Sequence, residues 1–134
     1  MASILAIVIF LTLRSDLSII STENTEAAAY KISSYATVTR SVNAIKSFLA
    51  SGYPVIVGGP VDRGFMNLRS GAVLTKRKGS LGGHCYCVVG YDDAKNAFKF
   101  QNSWGTNWAS AGFGWIDYNY ISSWWSELYV LNNL

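Results

Sequence analysis

The stretch that most constrains the fold is Gly82–Gly105, in which two apolar runs are separated by a short polar turn. The first run begins at His84, the only histidine in the sequence, and ends at Tyr91. The second run, Ala97–Gln101, is followed directly by Asn102. Two such runs with a short polar connection predict a β-hairpin. In that hairpin the start of the first strand lies beside the end of the second, so His84 and Asn102 should be neighbours.

A histidine held by an asparagine amide can have its tautomer fixed and can transfer protons near neutral pH. The pair cannot by itself attack a carbonyl carbon, so a nucleophile has to be sought elsewhere. Cys85 and Cys87 share one face of the predicted strand, and their geometry is poor for a disulfide. Because neighbouring strand residues point to opposite faces, the Cys85 thiol should face away from His84. We therefore predict that both cysteines are buried structural thiols and that neither is a nucleophile.

Composition favours one globular, β-rich domain. The chain has 134 residues, of which 50% are hydrophobic and 14% charged, which is enough apolar material for a core. A net charge of +3 is too small to indicate a nucleic-acid partner. The one basic run, Lys76-Arg77-Lys78, stands beside Gly79 and is interpreted as a solvated hairpin tip. An anionic partner or a localisation signal is the alternative for that run.

The N-terminal segment 1–29 differs in character from residues 30–134. Its apolar run, Ile4–Leu13, is too short to span a bilayer, so we expect no membrane span. No Lys or Arg precedes the run, which weakens its likeness to a secretion signal. A signal-like segment, a buried strand or helix, and a segment outside its native context all stay open. The polar stretch Ser21–Glu26 is predicted to be a linker.

Local patterns predict one helix and several short strands. Ser41 is a good N-terminal cap, and apolar residues then recur at helical spacing until Gly52, where the helix should end. One helix with five or six short strands indicates class α+β, with an antiparallel sheet or a partly closed barrel. Besides the hairpin, the predicted strands are Tyr30–Val38, Val55–Val57 (closed by Gly58-Gly59-Pro60), Gly71–Thr75, Phe113–Ile116 and Glu127–Leu131.

Several apolar and aromatic residues are predicted to serve packing alone. Phe65, Met66 and Leu68 form a brief apolar patch that is more typical of core than of a site. The five tryptophans are mostly expected in the core. A lone histidine on an apolar strand is also, taken by itself, more typical of a core residue. The combination of His84 with the motif that follows it favours a functional role over a purely structural one.

Gly83-His84 opens a Val-rich strand, and Asn102-Ser103-Trp104-Gly105 follows 18 residues after the histidine. A second tryptophan, Trp108, comes four residues after Trp104, and Gly112-Phe113-Gly114-Trp115 follows. This combination resembles the C-terminal half of papain-like cysteine peptidases, and the resemblance covers roughly Tyr30–Leu131. Upstream, Ala44–Val57 is similar to the helix of that family and the Pro-Val strand after it.

The resemblance implies an α+β fold that corresponds to the papain-like C-terminal lobe, an antiparallel barrel-like β-sheet with one main helix, without the helical lobe that bears the catalytic cysteine. It implies that His84 is the general base, that Asn102 orients its ring, and that Trp104 shields the hydrogen bond between them. Supporting positions would be Gly83, Ser103, Gly105 and Trp108. It implies no cofactor and no metal, and a peptide or protein as substrate.

The sequence departs from the family pattern in four respects. The family's nucleophilic cysteine lies 130–150 residues before the histidine, which from His84 falls before Met1. Gly83 precedes the histidine, and Ala109 stands where Trp-Gly is usual. The resemblance places Cys85 where the family usually has a small Ala beside the substrate pocket.

Two hypotheses explain the missing nucleophile. In the favoured one, the chain is part of a peptidase whose cysteine lies on a lobe encoded upstream or arriving as a separate chain. In the other, it is an inactive half-domain that acts as a binding or scaffold module. A small-ligand β-barrel has only the aromatic content in its favour. We expect the isolated chain to be inactive and to associate with a Cys-bearing lobe or with itself. The resemblance implies a secreted, lysosome-like or periplasm-like compartment, and the N-terminal apolar run is only weakly signal-like.

Overall fold

The structure, a computed structural model, describes residues 32–133. The predictions for Met1–Ala29 therefore lie outside the described residues, and so do the first two residues of the strand predicted from Tyr30. Among the described residues no helix is long and apolar enough to cross a bilayer.

Seven strands, three α-helices and one 3-10 turn make up the part of the chain that the structure describes. In chain order they are β1 (Ile32–Thr37), α1 (Val42–Ala50), β2 (Val55–Val61), α2 (Arg63–Met66), β3 (Val73–Leu74), β4 (Gly82–Asp92), β5 (Ala97–Gln101), β6 (Phe113–Asp117), a 3-10 turn (Tyr118–Tyr120), α3 (Ile121–Trp124) and β7 (Glu127–Asn133).

All seven strands belong to one sheet, in the order β1-β7-β2-β4-β5-β6-β3. Neighbouring strands are antiparallel except β3 and β6, which pair in parallel over two residues each. The sheet is barrel-like but not closed, because β1 and β3 end it without pairing with each other. The predicted α+β class and the mostly antiparallel sheet are thus confirmed. Each prediction of a described strand has a counterpart, although β7 continues two residues past its predicted end.

Helix α1 follows its sequence signals closely. Ser41 caps it, because its side-chain oxygen accepts a hydrogen bond from Ala44 N at 3.2 Å. Gly52 takes a left-handed conformation, with φ of 85°, just after the helix ends. Ile45 is fully buried, and Phe48 packs against the same core. The helix packs against β2 and β4.

Strand β2 is longer than predicted. Gly58-Gly59-Pro60 was expected to close it, but the strand runs through these residues to Val61, paired with β4 along its whole length. The reason is a tertiary contact: a Cβ at Gly59 would overlap the carbonyl oxygen of Trp124, so only glycine lets α3 approach the strand. The prediction that the strand ends at Val57 is therefore wrong.

The central hairpin, β4 and β5, contains a β-bulge. Cys87 pairs with Gln101 and Val88 with Phe100, but the next pair is Gly90 with Lys99. Val89 is thus an extra residue on β4, and it shifts the register of the hairpin by one between its turn and its open end.

The basic run Lys76-Arg77-Lys78 is not a hairpin tip, because the strands that flank it are not paired with each other: β3 pairs with β6, and β4 pairs with β2 and β5. Lys76 and Lys78 are exposed, as predicted. Arg77 instead holds the loop against α3, where its backbone N donates to Ser123 Oγ at 3.0 Å and its Nε to the Ser123 carbonyl at 2.8 Å.

Candidate active site

The hairpin brings His84 and Asn102 together, as predicted. His84 Nε2 lies 2.7 Å from Asn102 Oδ1. Asn102 is only 5% exposed, and its Oδ1 also accepts a hydrogen bond from the Ser103 backbone N at 2.8 Å. A backbone N–H can only donate, so the amide oxygen must be the atom that faces both groups.

This arrangement determines which imidazole nitrogen carries the proton. Because Asn102 Oδ1 can only accept, His84 Nε2 must donate to it. In the neutral ring Nδ1 then has the free lone pair. Within the described residues no hydrogen bond engages His84 Nδ1, and the side chain is half-buried. The neutral ring therefore presents Nδ1 as its proton-accepting atom.

Aromatic rings surround the imidazole on the inner side of the sheet. The Trp104 ring lies 4.8 Å from the His84 ring, centroid to centroid, at an interplanar angle of 34°. The Phe65 ring meets His84 edge-on at 5.9 Å. With Asn102 buried as well, these rings place the His84–Asn102 hydrogen bond in a surrounding of low dielectric, where such a bond is stronger than in water. Trp104 is itself 40% exposed, so its outer face remains uncovered.

The other predicted supporting positions are all near the pair but differ in what they contribute. Ser103 donates its backbone N–H to Asn102, and Gly105 turns the chain after Trp104 with φ of 83°. Trp108 is buried and its Nε1 donates to the Met66 carbonyl at 3.2 Å. Gly83 is exposed, and a Cβ there would have no heavy atom within 4 Å.

The loop from Trp108 to Gly112 shows how the chain accommodates its departure from the family pattern. Ala109 and Ala111 have φ of 46° and 54°, a left-handed conformation that favours glycine. Gly112 O accepts from Asn102 N at 2.9 Å, so this loop helps to hold the asparagine. Ala109 thus keeps a backbone shape suited to glycine at the cost of some strain.

The amide nitrogen of Asn102 is buried and has no hydrogen-bond partner within the described residues. An unsatisfied buried donor costs about 1–3 kcal/mol. Packing alone gives no reason to place an amide here, since an apolar side chain would avoid that cost. The contribution of Asn102 therefore lies in its oxygen.

The two cysteines near the histidine differ in burial: Cys87 is buried, as predicted, whereas Cys85 is only half-buried. Burial raises the pKa of Cys85, and the negative charge of Glu127 raises it further. Burial raises the pKa of Cys87 to about 12. Cys85 on β4 pairs with Gly58 on β2, and Gly58 pairs in turn with Glu127 on β7. Both thiols are protonated at neutral pH, which is the opposite of an activated nucleophile.

Two residues of the site were not predicted. Phe65 was assigned to a core patch, and it is fully buried, but its ring also contacts His84 and Trp104. Asp62, for which the sequence predicted no role, caps α2 and holds Phe65 in place. The sequence does contain a signal for this role, because an aspartate three residues before the apolar Phe65 is a typical capping pattern. Met66, of the same patch, is 50% exposed.

The described residues contain no group of three or more His, Cys, Asp or Glu side chains that could hold a metal ion.

Comparison with known proteins identifies the family and the fold of the chain. The sequence profile of the papain family cysteine proteases matches residues 16–125, a range that reaches into the segment 1–29. Over 91 residues the chain is 31% identical to an uncharacterised peptidase C1-like protein of Acanthamoeba polyphaga mimivirus, and over 86 residues 34% identical to gamete and mating-type specific protein A of Dictyostelium discoideum. These alignments cover 64% of this chain, but only 29% and 19% of the two relatives.

Solved structures share the fold. Xylellain, a cysteine protease from Xylella fastidiosa, superposes with a TM-score of 0.70 at 28% identity, over 86% of this chain and 45% of that protein. The bromelain protease from Ananas comosus gives a TM-score of 0.63 at 19% identity, over 77% of this chain and 51% of the other. The chain thus spans about half the length of these proteases. On the profile match and the shared fold, the chain belongs to the papain family of cysteine proteases.

Proposed function

We propose that this chain supplies the proton-transferring side of a cysteine peptidase site, with His84 as general base and acid and Asn102 as the residue that orients it. The observation that carries the proposal is the pair of hydrogen bonds to Asn102 Oδ1, from His84 Nε2 at 2.7 Å and from Ser103 N at 2.8 Å. These bonds leave His84 Nδ1 available to take a proton from a thiol. Family membership supplies the reaction class.

In the proposed reaction Nδ1 takes the thiol proton, and the thiolate bonds to the carbonyl carbon of a peptide. Nδ1–H then gives its proton to the amide nitrogen as the carbon–nitrogen bond breaks, which releases the amine and leaves a thioester. Water that loses a proton to the same nitrogen hydrolyses the thioester and restores the thiol. Throughout, Nε2–H stays bonded to Asn102, so the imidazolium charge faces an amide oxygen.

The nucleophilic sulfur of this reaction comes from residues outside this sequence. Cys85 and Cys87, the two cysteines of the chain, have raised pKa values, and Cys85 lies beside the carboxylate of Glu127. A negative neighbour disfavours a thiolate. We therefore assign the nucleophile to a second, Cys-bearing lobe that packs on the face carrying His84.

Exposed apolar side chains on the segments that border His84 support such a partner. Trp104 is 40% exposed, Met66 50% and Leu81 55%. Large apolar side chains that stay exposed near a site are a feature of interaction surfaces. We expect the isolated chain to self-associate through this face. A monodisperse monomer in sedimentation velocity at concentrations near 100 μM, roughly the range of weak association, would contradict the missing-lobe arrangement.

The nucleophile assignment is tested with a peptidyl epoxide, which alkylates activated catalytic thiols, followed by intact-mass measurement of the isolated chain. We expect no adduct and no hydrolysis of a peptide substrate. A stoichiometric adduct that disappears in the His84→Ala variant would overturn the assignment and make Cys85 or Cys87 the nucleophile.

The base assignment is tested by co-expression with the helical, Cys-bearing lobe of the Xylella fastidiosa protease as a separate chain. A complex that hydrolyses peptides with this chain and fails with His84→Ala supports the proposal. The control is Asp117→Ala, because Asp117 ends β6 opposite the start of β5, away from Asn102. This variant should leave hydrolysis unchanged. A purified complex without hydrolysis favours the alternative, an inactive half-domain that binds a partner.

A further inference from the structure

Asp62 is a carboxylate that the proposed chemistry does not use, although it is only 5% exposed. In the part of the chain described, it forms no ion pair, and its two oxygens accept backbone hydrogen bonds instead. Oδ1 accepts from Phe65 N at 3.0 Å, and Oδ2 accepts from Lys78 N at 2.7 Å. Burying a carboxylate costs free energy, and a neutral Ser or Asn would cap the helix equally well. What aspartate adds is a second acceptor oxygen.

The first of these bonds fixes the ring beneath the imidazole. Asp62 is the N-cap of α2, a single helical turn whose buried member is Phe65. The Phe65 ring is fully buried, and it meets His84 edge-on at 5.9 Å and Trp104 edge-on at 5.4 Å. It therefore forms the surface on which both rings of the site rest. Because aromatic pairs of this kind depend on orientation, a displaced Phe65 would change how His84 is held.

The second bond fixes the chain that leads into the strand of His84. Lys78 precedes the start of β4 at Gly82 by four residues. At the end of the same loop, Leu81 N donates to the Val61 carbonyl at 2.7 Å, and Val61 pairs with Gly82. Asp62, which follows Val61 directly, thus ties the incoming loop to the end of β2 at the point where β4 begins.

Gly64 supports this double role. A Cβ at position 64 would lie 3.1 Å from Asp62 Oδ1, closer than ordinary contact. The glycine leaves room for the carboxylate to reach Phe65 with one oxygen while the other faces Lys78.

We propose that Asp62 is a positioning residue for the His84–Asn102 pair, because its two oxygens hold at once the ring under the imidazole and the segment that enters its strand. The inference rests on the proposed role of His84. Its test, however, observes the imidazole itself, so its outcome is separate from whether any assembled complex hydrolyses peptides.

The experiment uses the fact that His84 is the only histidine of the chain. The full chain is labelled with ¹⁵N-histidine, and the ring-nitrogen chemical shifts report the tautomer in the wild type and in variants. Asp62→Asn keeps the shape and the helix cap but presents an NH₂ group to Lys78 N–H, and Asp62→Ala removes both acceptors. Asp117→Ala is the matched control, since Asp117 also caps a short helical turn through Asn119 N, away from the site.

We expect the wild type to hold the Nε2–H tautomer. The Nδ1–H tautomer should rise about fivefold in Asp62→Ala, the change expected from weakening one hydrogen bond, and by a smaller factor in Asp62→Asn. Asp117→Ala should leave the ring shifts unchanged while it lowers the midpoint of thermal unfolding.

The proposal is overturned if Asp62→Asn folds and shows the wild-type ring shifts between pH 5 and 8, roughly the range in which histidine titrates. In that case Asp62 only stabilises the fold. Should Asp62→Ala fail to fold, the Asn variant decides the question alone, because it retains the cap.

Discussion

Gly59 faces the carbonyl oxygen of Trp124 so closely that no side chain could stand between them. Gly59 also pairs with His84 across β2 and β4, so this contact places the end of α3 directly behind the strand next to the histidine. Trp124 is held in turn from its other end, since its Nε1 donates to the Thr75 carbonyl at 2.6 Å.

Substitution of Gly59 by alanine is expected to destabilise the chain by about 3 kcal/mol, because the backbone of α3 must move away to admit the methyl group. Chemical denaturation monitored by tryptophan fluorescence measures the effect. Gly83→Ala is the matched control: it lies on the paired strand beside His84, where a Cβ has no neighbour within 4 Å, and should cost little. Equal stabilities for the two variants would show that α3 does not rest on Gly59.

Replacing Asn102 by aspartate should raise the pKa of His84 relative to the wild type, because a carboxylate in hydrogen-bond contact favours the imidazolium. A raised pKa in the folded state adds stability below the unfolded pKa, and this gain is lost as the pH rises through the folded value. Titration of the single histidine by NMR gives the shift. Thr106→Asp puts the same charge on the exposed turn that follows, where solvent screens it, and a shift as large as that of Asn102→Asp would deny direct contact.

The left-handed conformation of Ala109 leads to an unusual expectation, that a change to glycine stabilises the protein. Relief of the strain at φ of 46° is worth about 1–2 kcal/mol, and the greater freedom of glycine in the unfolded chain offsets part of it. A net gain of up to about 1 kcal/mol should appear in thermal unfolding. The same exchange at Ala44, inside α1, should destabilise by about 1 kcal/mol. Loss of stability at both positions would contradict the assigned loop conformation.

The two thiols should alkylate slowly. Burial raises the pKa of both Cys85 and Cys87, so the thiolate fraction at pH 7 is smaller than in an unfolded chain. With iodoacetamide at that pH we expect a rate at least about tenfold below that of the denatured protein, rising with pH throughout the accessible range. A fast reaction that slows in His84→Ala would indicate a thiolate paired with the imidazole.

The hairpin and the His84–Asn102 pair could be predicted because their signals are local. Two apolar runs and a short turn bring the start of the first strand beside the end of the second, although the bulge at Val89 shifts the exact register. The pairing partners lie within one short stretch of chain. Helix α1 was predictable for the same reason, since Ser41 and Gly52 mark its ends in the sequence itself.

What could not be predicted depends on contacts between distant segments. Gly58-Gly59-Pro60 has the composition of a strand end, and only the approach of Trp124 explains why glycine continues the strand. The sequence around Lys76 indicates a hairpin tip, because nothing in it shows that β3 pairs with β6. The contact of Phe65 with His84 likewise depends on a tertiary arrangement.

The bulge at Val89 separates the two ends of β4 in register, so the turn alone does not determine the pairing of the segment that carries His84. The pairs Val88–Phe100 and Gly90–Lys99 on either side of the bulge would remain if Val89 were deleted, and His84 would stay on the face of Asn102. With Val88 kept opposite Phe100, a residue deleted between His84 and Val88 would instead turn the imidazole to the other face, because side chains alternate along a strand. Length variation in homologous chains should therefore be tolerated at Val89 and at the exposed turn Asp93–Asn96, and excluded between His84 and Val88.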